Sequence, residues 1–100
     1  MVPKIAMKIY KHANEVLLAA CDEDLLGKTF RDGKLNLEVS RDFYDDTRVD
    51  KVLFLRSLQL STISNLVGET TINTAIDAGF VDKECIIWID GIPHAQVCTM

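Results

Sequence analysis

The fold is decided by the first part of the chain, which reads KIAMKIYKHANEVLLAAC over residues 4–21. In its first half, residues 4–10, apolar and polar side chains alternate, as they do in a strand that buries one face. After a short polar connection, residues 15–21 are apolar on both faces, which is typical of a central strand. The stretch therefore predicts a hairpin of two strands at the start of the sheet.

Other stretches further along the chain also have strand character. Residues 34–39 alternate again after a turn signal, and we expect this strand to run antiparallel to the second one. Residues 85–89 are rich in β-formers, and the Asp90-Gly91 pair that follows is a hairpin signal. Short strands are also expected over residues 61–66 and 92–97, the latter at a sheet edge because Pro93 has no N–H.

Helices are predicted at two places. Residues 48–59 have the length and composition of a helix, but their apolar side chains point almost all around the axis, so we expect this helix to be covered on two sides. Residues 69–78 have the apolar spacing of an amphipathic helix that ends at Gly79. The sequence thus predicts a single α+β domain over residues 1–100, a small, mostly antiparallel sheet packed against two helices.

The connection between the third strand and the first helix is acidic, yet it contains Phe43 and Tyr44. A polar loop has no need of two neighbouring aromatic rings. We therefore expect these rings to fold back onto the core.

Composition limits the class of protein. The chain has 100 residues, of which 48% are apolar and 26% charged, so it is globular rather than disordered. Charges interrupt every apolar run, which predicts no membrane span and no secretory leader. Three cysteines without a C-x-x-C pair indicate reduced thiols and a cytoplasmic location.

The net charge of −4 provides no global attraction for nucleic acid. The second half of the chain carries few charges. Its apolar side chains must therefore form the inner layer of the core or be covered by another chain. Self-association as a homo-oligomer is one such arrangement.

Several short strings together resemble an archaeal family called domain of unknown function 424. The strings are Ala20-Cys21-Asp22, Leu26-Gly27-Lys28-Thr29-Phe30, Phe43-Tyr44, Asn65-Leu66-Val67-Gly68-Glu69 and Gly91-Ile92-Pro93-His94-Ala95-Gln96. The resemblance runs in order from about residue 4 to residue 97. It implies an uncharacterised, compact α+β protein of the archaeal cytosol whose genes lie among genes for translation and RNA processing. It assigns no role to any residue.

The candidate catalytic residues are Cys21, Asp22 and His94. A cysteine at a helix start, with a histidine in hydrogen-bond reach and an aspartate to orient it, would form a nucleophile-base pair. Against this, neighbouring acids raise the pKa of a thiol, and a buried cysteine is commonly a small core side chain. The same residues with Asp24 would be the ligands of a metal, but they lack the paired spacing of structural zinc sites, so we predict neither metal nor cofactor.

The candidate binding residues fall into three groups. Lys4, Lys8 and Tyr10 are expected on the solvent face of the first strand, where basic and aromatic side chains can hold RNA; a merely solvated face explains them equally. Asn65 and Gly68 precede a helix whose free amides can hold a phosphate, although a plain turn explains them too. His94 and Gln96 would line a groove or form a hydrogen-bonded edge.

Two functions follow from these patterns. In the first, the protein is a non-catalytic binding module for RNA or for a protein of the translation apparatus. In the second, it is a small enzyme or metal-binding protein that uses Cys21, Asp22 and His94. The two differ in what they require of Cys21, which must be accessible in an enzyme.

Overall fold

The computed structural model describes residues 4–98. Within them lie eight strands and three helices. The strands are β1 (Ile5–His12), β2 (Glu15–Asp22), β3 (Thr29–Asp32), β4 (Leu35–Glu38), β5 (Thr47–Val49), β6 (Ile63–Val67), β7 (Ile87–Ile89) and β8 (Ile92–Cys98). The helices are α1 (Arg41–Tyr44), α2 (Lys51–Leu60) and α3 (Glu69–Asp77), and short 3-10 turns cover Glu23–Leu25 and Lys83–Cys85.

Six of the strands form one sheet in the order β5-β1-β2-β6-β8-β7. Every neighbouring pair is antiparallel except β2 and β6, which run parallel. Strands β3 and β4 form a separate two-stranded hairpin. The α+β class and the mostly antiparallel sheet packed against helices are confirmed.

Helices α2 and α3 cover one side of the large sheet, which we call the helix face. Its core contains Ile5 and Met7 of β1, Leu18 of β2, and the helix residues Phe54 and Ile72, all buried. Burying a side chain of this size stabilises the fold by about 1.5–3 kcal/mol. The alternation of apolar and polar residues in β1 therefore corresponds to burial of one side of this strand on the helix face.

The opposite side, which we call the hairpin face, has its own smaller core. Leu37 of the β3–β4 hairpin and Tyr44 of α1 pack there against Ala19 and Cys21 of β2. The phenyl ring of Phe43 packs against the edge of the same cluster and meets the Tyr44 ring edge-on, with 4.9 Å between ring centroids. The expectation that these two aromatics return to the core is confirmed.

The third predicted strand has a different partner from the one expected. Residues 34–39 correspond to β4, which pairs with β3 rather than with β2. Both edges of β2 are already used, by β1 and by β6. The short β3 was missed because its four residues contain one large apolar side chain, too few for a period to show.

The helix predicted over residues 48–59 begins later, at Lys51. Asp50 caps it by accepting a hydrogen bond from the Leu53 amide at 2.9 Å, and the residues before it form the short strand β5. The predicted strand over 85–89 likewise starts later, at Ile87, after the second 3-10 turn. The strands expected over 61–66 and 92–97 are present as β6 and β8.

The edge position expected for Pro93 is wrong, because β8 lies between β6 and β7. Strand β6 pairs with β8 only as far as His94, so Pro93 lies just beyond that ladder. Its carbonyl accepts a hydrogen bond from the Gly68 amide at 2.9 Å. Pro93, which has no N–H, therefore lies where the pairing between β6 and β8 ends.

Candidate functional site

Cys21, Val67 and His94 lie in one row across three neighbouring strands, on the hairpin face. Strands in a sheet are about 4.8 Å apart, so β6 keeps the Cα atoms of Cys21 and His94 about 10 Å apart. A hydrogen bond joins atoms about 3 Å apart. The structure brings the two residues to the same end of the sheet without direct contact.

The Cys21 thiol is fully buried. Burial, and next the neighbouring carboxylate of Asp22, raise the pKa of Cys21 to about 12. The thiolate is the nucleophilic form of cysteine, and a pKa this high leaves almost none of it at neutral pH. The side chain has the environment of a core residue.

The Asp22 carboxylate is fully engaged with the start of helix α3. It accepts hydrogen bonds from the Thr70 amide at 3.0 Å, the Thr71 amide at 2.8 Å and the Thr71 hydroxyl at 2.8 Å. Gly68, with a φ of +107°, lies so close to Asp22 that a Cβ atom there would collide with the carboxylate. Asp22 thus caps α3 from another element.

This cap occupies the start of α3, where the sequence predicts a phosphate site. The amides at a helix start attract an anion because they have no partner within the helix. Here the carboxylate of Asp22 already binds two of them. Asn65 is therefore a residue of strand β6, and Gly68 makes the turn into α3, whose first amides are bound by the Asp22 carboxylate.

His94 is half-buried, and its Nδ1 lies 3.1 Å from the carbonyl oxygen of Leu66. Burial lowers the pKa of His94 below its ordinary value, more than the carbonyl raises it. The ring is then neutral at pH 7, with Nδ1–H donating to the carbonyl. His94 ties β8 to β6.

Lys8 and Tyr10 lie on the hairpin face, where α1 covers them, rather than on an open surface. The Tyr10 hydroxyl donates to the Phe43 carbonyl at 2.8 Å, and the two rings stack with centroids 5.5 Å apart. The Lys8 ammonium donates to the Asp42 carbonyl at 3.0 Å. Both side chains therefore serve to hold α1.

Lys4 is separate from this pair. It lines a groove of about 620 Å³ at the start of α3, between α2 and the end of β2. The groove has more acidic than basic side chains, among them Glu23, Glu69 and Asp77. Lys4 therefore cannot form one basic patch with Lys8.

The remaining polar candidates share one row. Lys8, Ala19, Asn65 and Gln96 are neighbours across four strands on the hairpin face, and we call this set the amide row. The Tyr44 hydroxyl donates to Asn65 Oδ1 at 2.9 Å, and Gln96 is exposed. The row presents amide groups beside an aromatic cluster, without a free cation.

The feature missed by sequence reasoning is the outer side of α2. Val52, Leu53 and Leu60 are 64%, 47% and 76% exposed, and Ile9 of β1 is 41% exposed. We call these four residues the α2–β1 surface. The apolar side chains that form it are visible in the sequence, which predicts a helix covered on two sides. In the structure, the rest of the chain covers one side of α2.

Residues 4–98 contain no cluster of side chains suited to a metal ion. No group of three His, Cys, Asp or Glu side chains there is arranged to hold a metal ion. Every buried side-chain nitrogen or oxygen in the same range has a hydrogen-bond partner. In the described part of the chain, no helix has the length and apolar character needed to span a membrane.

Comparisons with known proteins agree with this fold. A family model described as "Protein of unknown function (DUF424)" matches residues 10–100. The crystal structure of an uncharacterized conserved protein from Methanopyrus kandleri is similar, with a TM-score of 0.74 and 24% sequence identity over 97% of this chain and 94% of that one. Comparison with curated proteins gives no significant match.

Proposed function

The chain belongs to the DUF424 family of proteins of unknown function, and we propose that it is a non-catalytic binding module for a protein partner. The setting is translation or RNA processing in the archaeal cytoplasm, as the resemblance to the family implies. The observation that carries the proposal is the uncovered apolar side of α2, where Val52, Leu53 and Leu60 are largely exposed.

A partner that covered these side chains would remove their apolar surface from water. Covering an exposed leucine contributes about 1.5–3 kcal/mol, so two or three such residues can anchor an interface. Single exposed apolar residues are normal on a protein surface, but a group on one helix marks an interaction site. Leu53 and Leu60 are separated by two turns of α2 and so lie on the same side of it.

The catalytic alternative lacks an accessible thiol at Cys21. Cys21 is buried and protonated, the Asp22 carboxylate caps α3, and His94 bonds to the Leu66 carbonyl. Thiol labelling at pH 8 tests this point: we expect the exposed Cys85 and Cys98 to react in the native protein and Cys21 to react only after denaturation. Rapid labelling of Cys21 in the native protein would restore the enzyme as a candidate.

Affinity capture from an archaeal cell extract tests the protein-binding proposal. The bait is the full chain, compared with Leu60→Glu and with the matched control Leu35→Glu, whose leucine is 48% exposed on the β3–β4 hairpin. We expect the same protein to be retained by the wild type and the control and lost with Leu60→Glu. Equal retention by all three baits, or by none, would reject the α2–β1 surface.

RNA is a second candidate ligand, favoured by the amide row. Side-chain amides such as those of Asn65 and the exposed Gln96 can form hydrogen bonds with the edges of unpaired bases. Filter binding to total archaeal RNA at low salt compares the wild type with Lys4→Glu/Lys8→Glu and with Asn65→Ala/Gln96→Ala. RNA binding that both double variants weaken would favour this candidate; unchanged binding would remove it.

A further inference from the structure

The exposed side chains of α2 form a row with a charged centre. Val52, Arg56 and Leu60 follow one another at intervals of four residues, so they lie along one ridge of the helix. All three side chains are exposed. We call these three residues the α2 ridge, which is apolar at both ends and basic in the middle.

Arg56 lies in the middle of the uncovered side of α2 rather than at its rim. Each residue of an α-helix is rotated by about 100° from the last, so Val52 and Leu60 are each about 40° from Arg56, in opposite directions around the axis. Leu53, which is also exposed, is about 60° from Arg56, whereas the buried Leu58 is about 160° away. A partner that covers the exposed apolar residues of α2 must therefore also cover Arg56.

The charge of Arg56 is not compensated within the part of the chain that the structure describes. No salt bridge there involves Arg56, and α2 itself contains no aspartate or glutamate. Two carboxylates flank the helix, and each binds another group. Asp50 accepts a hydrogen bond from the Leu53 amide at 2.9 Å. Glu15 accepts one from the Thr62 hydroxyl, beyond the other end of α2, at 3.0 Å.

Covering this guanidinium limits the kind of surface that can bind α2. Removing an unpaired charge from water costs as much free energy as the burial of two or three leucines contributes. A carboxylate offsets that cost, because it pairs with a guanidinium through two parallel hydrogen bonds while the arginine stem stays on neighbouring apolar groups. A wholly apolar partner surface would therefore gain little from Val52, Leu53 and Leu60.

A second copy of α2 does not meet this requirement. A two-fold contact places the same surface on both sides of an interface. Because α2 contains no aspartate or glutamate, such a contact would cover two arginines and supply no carboxylate. Charge complementarity therefore favours a different protein as the partner.

The shape of the ridge suits another helix. Val52 and Leu60 are eight residues apart, which is about 12 Å along the helix axis. A row of residues at intervals of four packs into the groove between two such rows of a second helix, which is the commonest way in which helices pack. A helix of about four turns covers the ridge from end to end.

We propose that the partner protein covers the α2 ridge with an amphipathic helix whose apolar side carries one aspartate or glutamate opposite Arg56. This rests on the proposed function and identifies the chemistry of the partner. Apolar side chains of the partner helix pack against Val52, Leu53 and Leu60. Its carboxylate binds the Arg56 guanidinium and is enclosed by these apolar contacts.

The test uses the full chain and two synthetic peptides, acetyl-LQKALQKEAQLAKQL-amide and acetyl-LQKALQKLAQLAKQL-amide, which differ only in the central residue. In a helix, the leucines three and seven positions on either side of the centre share one face with it. Isothermal titration calorimetry measures the binding. We expect the protein to bind the glutamate peptide about tenfold more tightly than the leucine peptide, because the latter leaves Arg56 covered without a partner.

Two variants sharpen this result. Arg56→Met removes the charge and keeps an unbranched apolar stem, so it should reverse the preference and bind the leucine peptide about tenfold more tightly. Leu60→Ala should weaken binding of the glutamate peptide by about 10- to 100-fold, the equivalent of one buried leucine. Leu35→Ala, the matched control on the β3–β4 hairpin, should leave the binding of both peptides unchanged. Circular dichroism confirms that each variant is folded.

The outcomes separate this inference from the proposed function. If the extract protein depends on Leu60 but neither peptide binds, the helical partner is wrong and the protein-binding module stands. Equal affinity for the two peptides, or tighter binding of the leucine peptide by the wild type, would show that Arg56 does not select the partner. If sedimentation shows that the protein alone forms a dimer that Arg56→Met or Leu60→Ala dissociates, a second copy covers the ridge and the inference is overturned.

Discussion

The end of β2 and the outer side of α2 make opposite uses of their side chains. At the end of β2, the Asp22 carboxylate accepts three hydrogen bonds and the Cys21 thiol is fully buried, so both groups are used inside the domain. On α2, Leu53 and Leu60 remain largely exposed. The polar and reactive residues at the end of β2 hold the fold together, whereas the apolar residues on the outer side of α2 stay exposed.

The largest effect is expected where Gly68 meets Asp22. Gly68→Ala adds a Cβ that collides with the carboxylate at a φ of +107°, so strain and crowding together should lower the free energy of unfolding by about 2–5 kcal/mol. The matched control is Gly79→Ala, at a φ of +84° with no atom within 4 Å of the added Cβ. Urea unfolding measures both. Equal losses would show that contact with Asp22 is unimportant.

Two leucines of α2 provide the next comparison. Leu58 is 3% exposed in the helix-face core, whereas Leu60 is 76% exposed. Leu58→Ala should lower the free energy of unfolding by about 2–4 kcal/mol and Leu60→Ala by less than about 0.5 kcal/mol. Thermal and urea unfolding give both values. A large loss for Leu60→Ala would mean that Leu60 belongs to the core and is not available to a partner.

Removal of the Asp22 cap should have a smaller but clear effect. Asp22→Ala leaves the Thr70 and Thr71 amides without their acceptor, and we expect a loss of about 1–3 kcal/mol. Asp22→Asn keeps an acceptor oxygen and should recover part of that loss. Urea unfolding measures the stabilities, and amide exchange shows whether the first turn of α3 opens. Unchanged stability in Asp22→Ala would contradict the structural role of Asp22.

The smallest effect is a dependence of stability on pH. Burial lowers the pKa of His94, so below its ordinary value of 6.5 the unfolded chain binds a proton that the folded chain does not. Stability should therefore fall as the pH drops from about 6.5, with a slope of at most about 1.4 kcal/mol per pH unit from this group.

His94→Gln should reduce that slope in urea unfolding between pH 4 and pH 8. The matched control is His12→Gln, which removes an exposed histidine. Identical slopes for the wild type and His94→Gln would show that His94 is not responsible.

Periodicity predicted most of the large sheet. The alternation around Ile5 and Met7, the hairpin into β2 and the helical spacing of Ile72 and Ala75 all correspond to buried faces. Short elements were missed, since a strand such as Thr47–Val49 has too few residues for a period. The pairing of β4 could not be predicted either, because it depends on which edges of β2 are already used.

The sequence pointed to the residues of the candidate site, but it did not predict the roles of these residues. Asp22 and Gly68 are 46 positions apart in the sequence, and only the pairing of β2 with β6 brings them together. The position of His94 one strand beyond Val67 likewise depends on strand order. The apolar character of α2 was visible in the sequence, but the number of its sides that the fold covers was not.

The most direct test of the account is photo-crosslinking from the two exposed leucines. Leu60→p-benzoylphenylalanine and, as control, Leu35→p-benzoylphenylalanine are irradiated in archaeal extract, and the products are identified by mass spectrometry. The account predicts one protein crosslinked from position 60, and no such product from position 35. Products that contain only RNA, or that are the same from both positions, would contradict it.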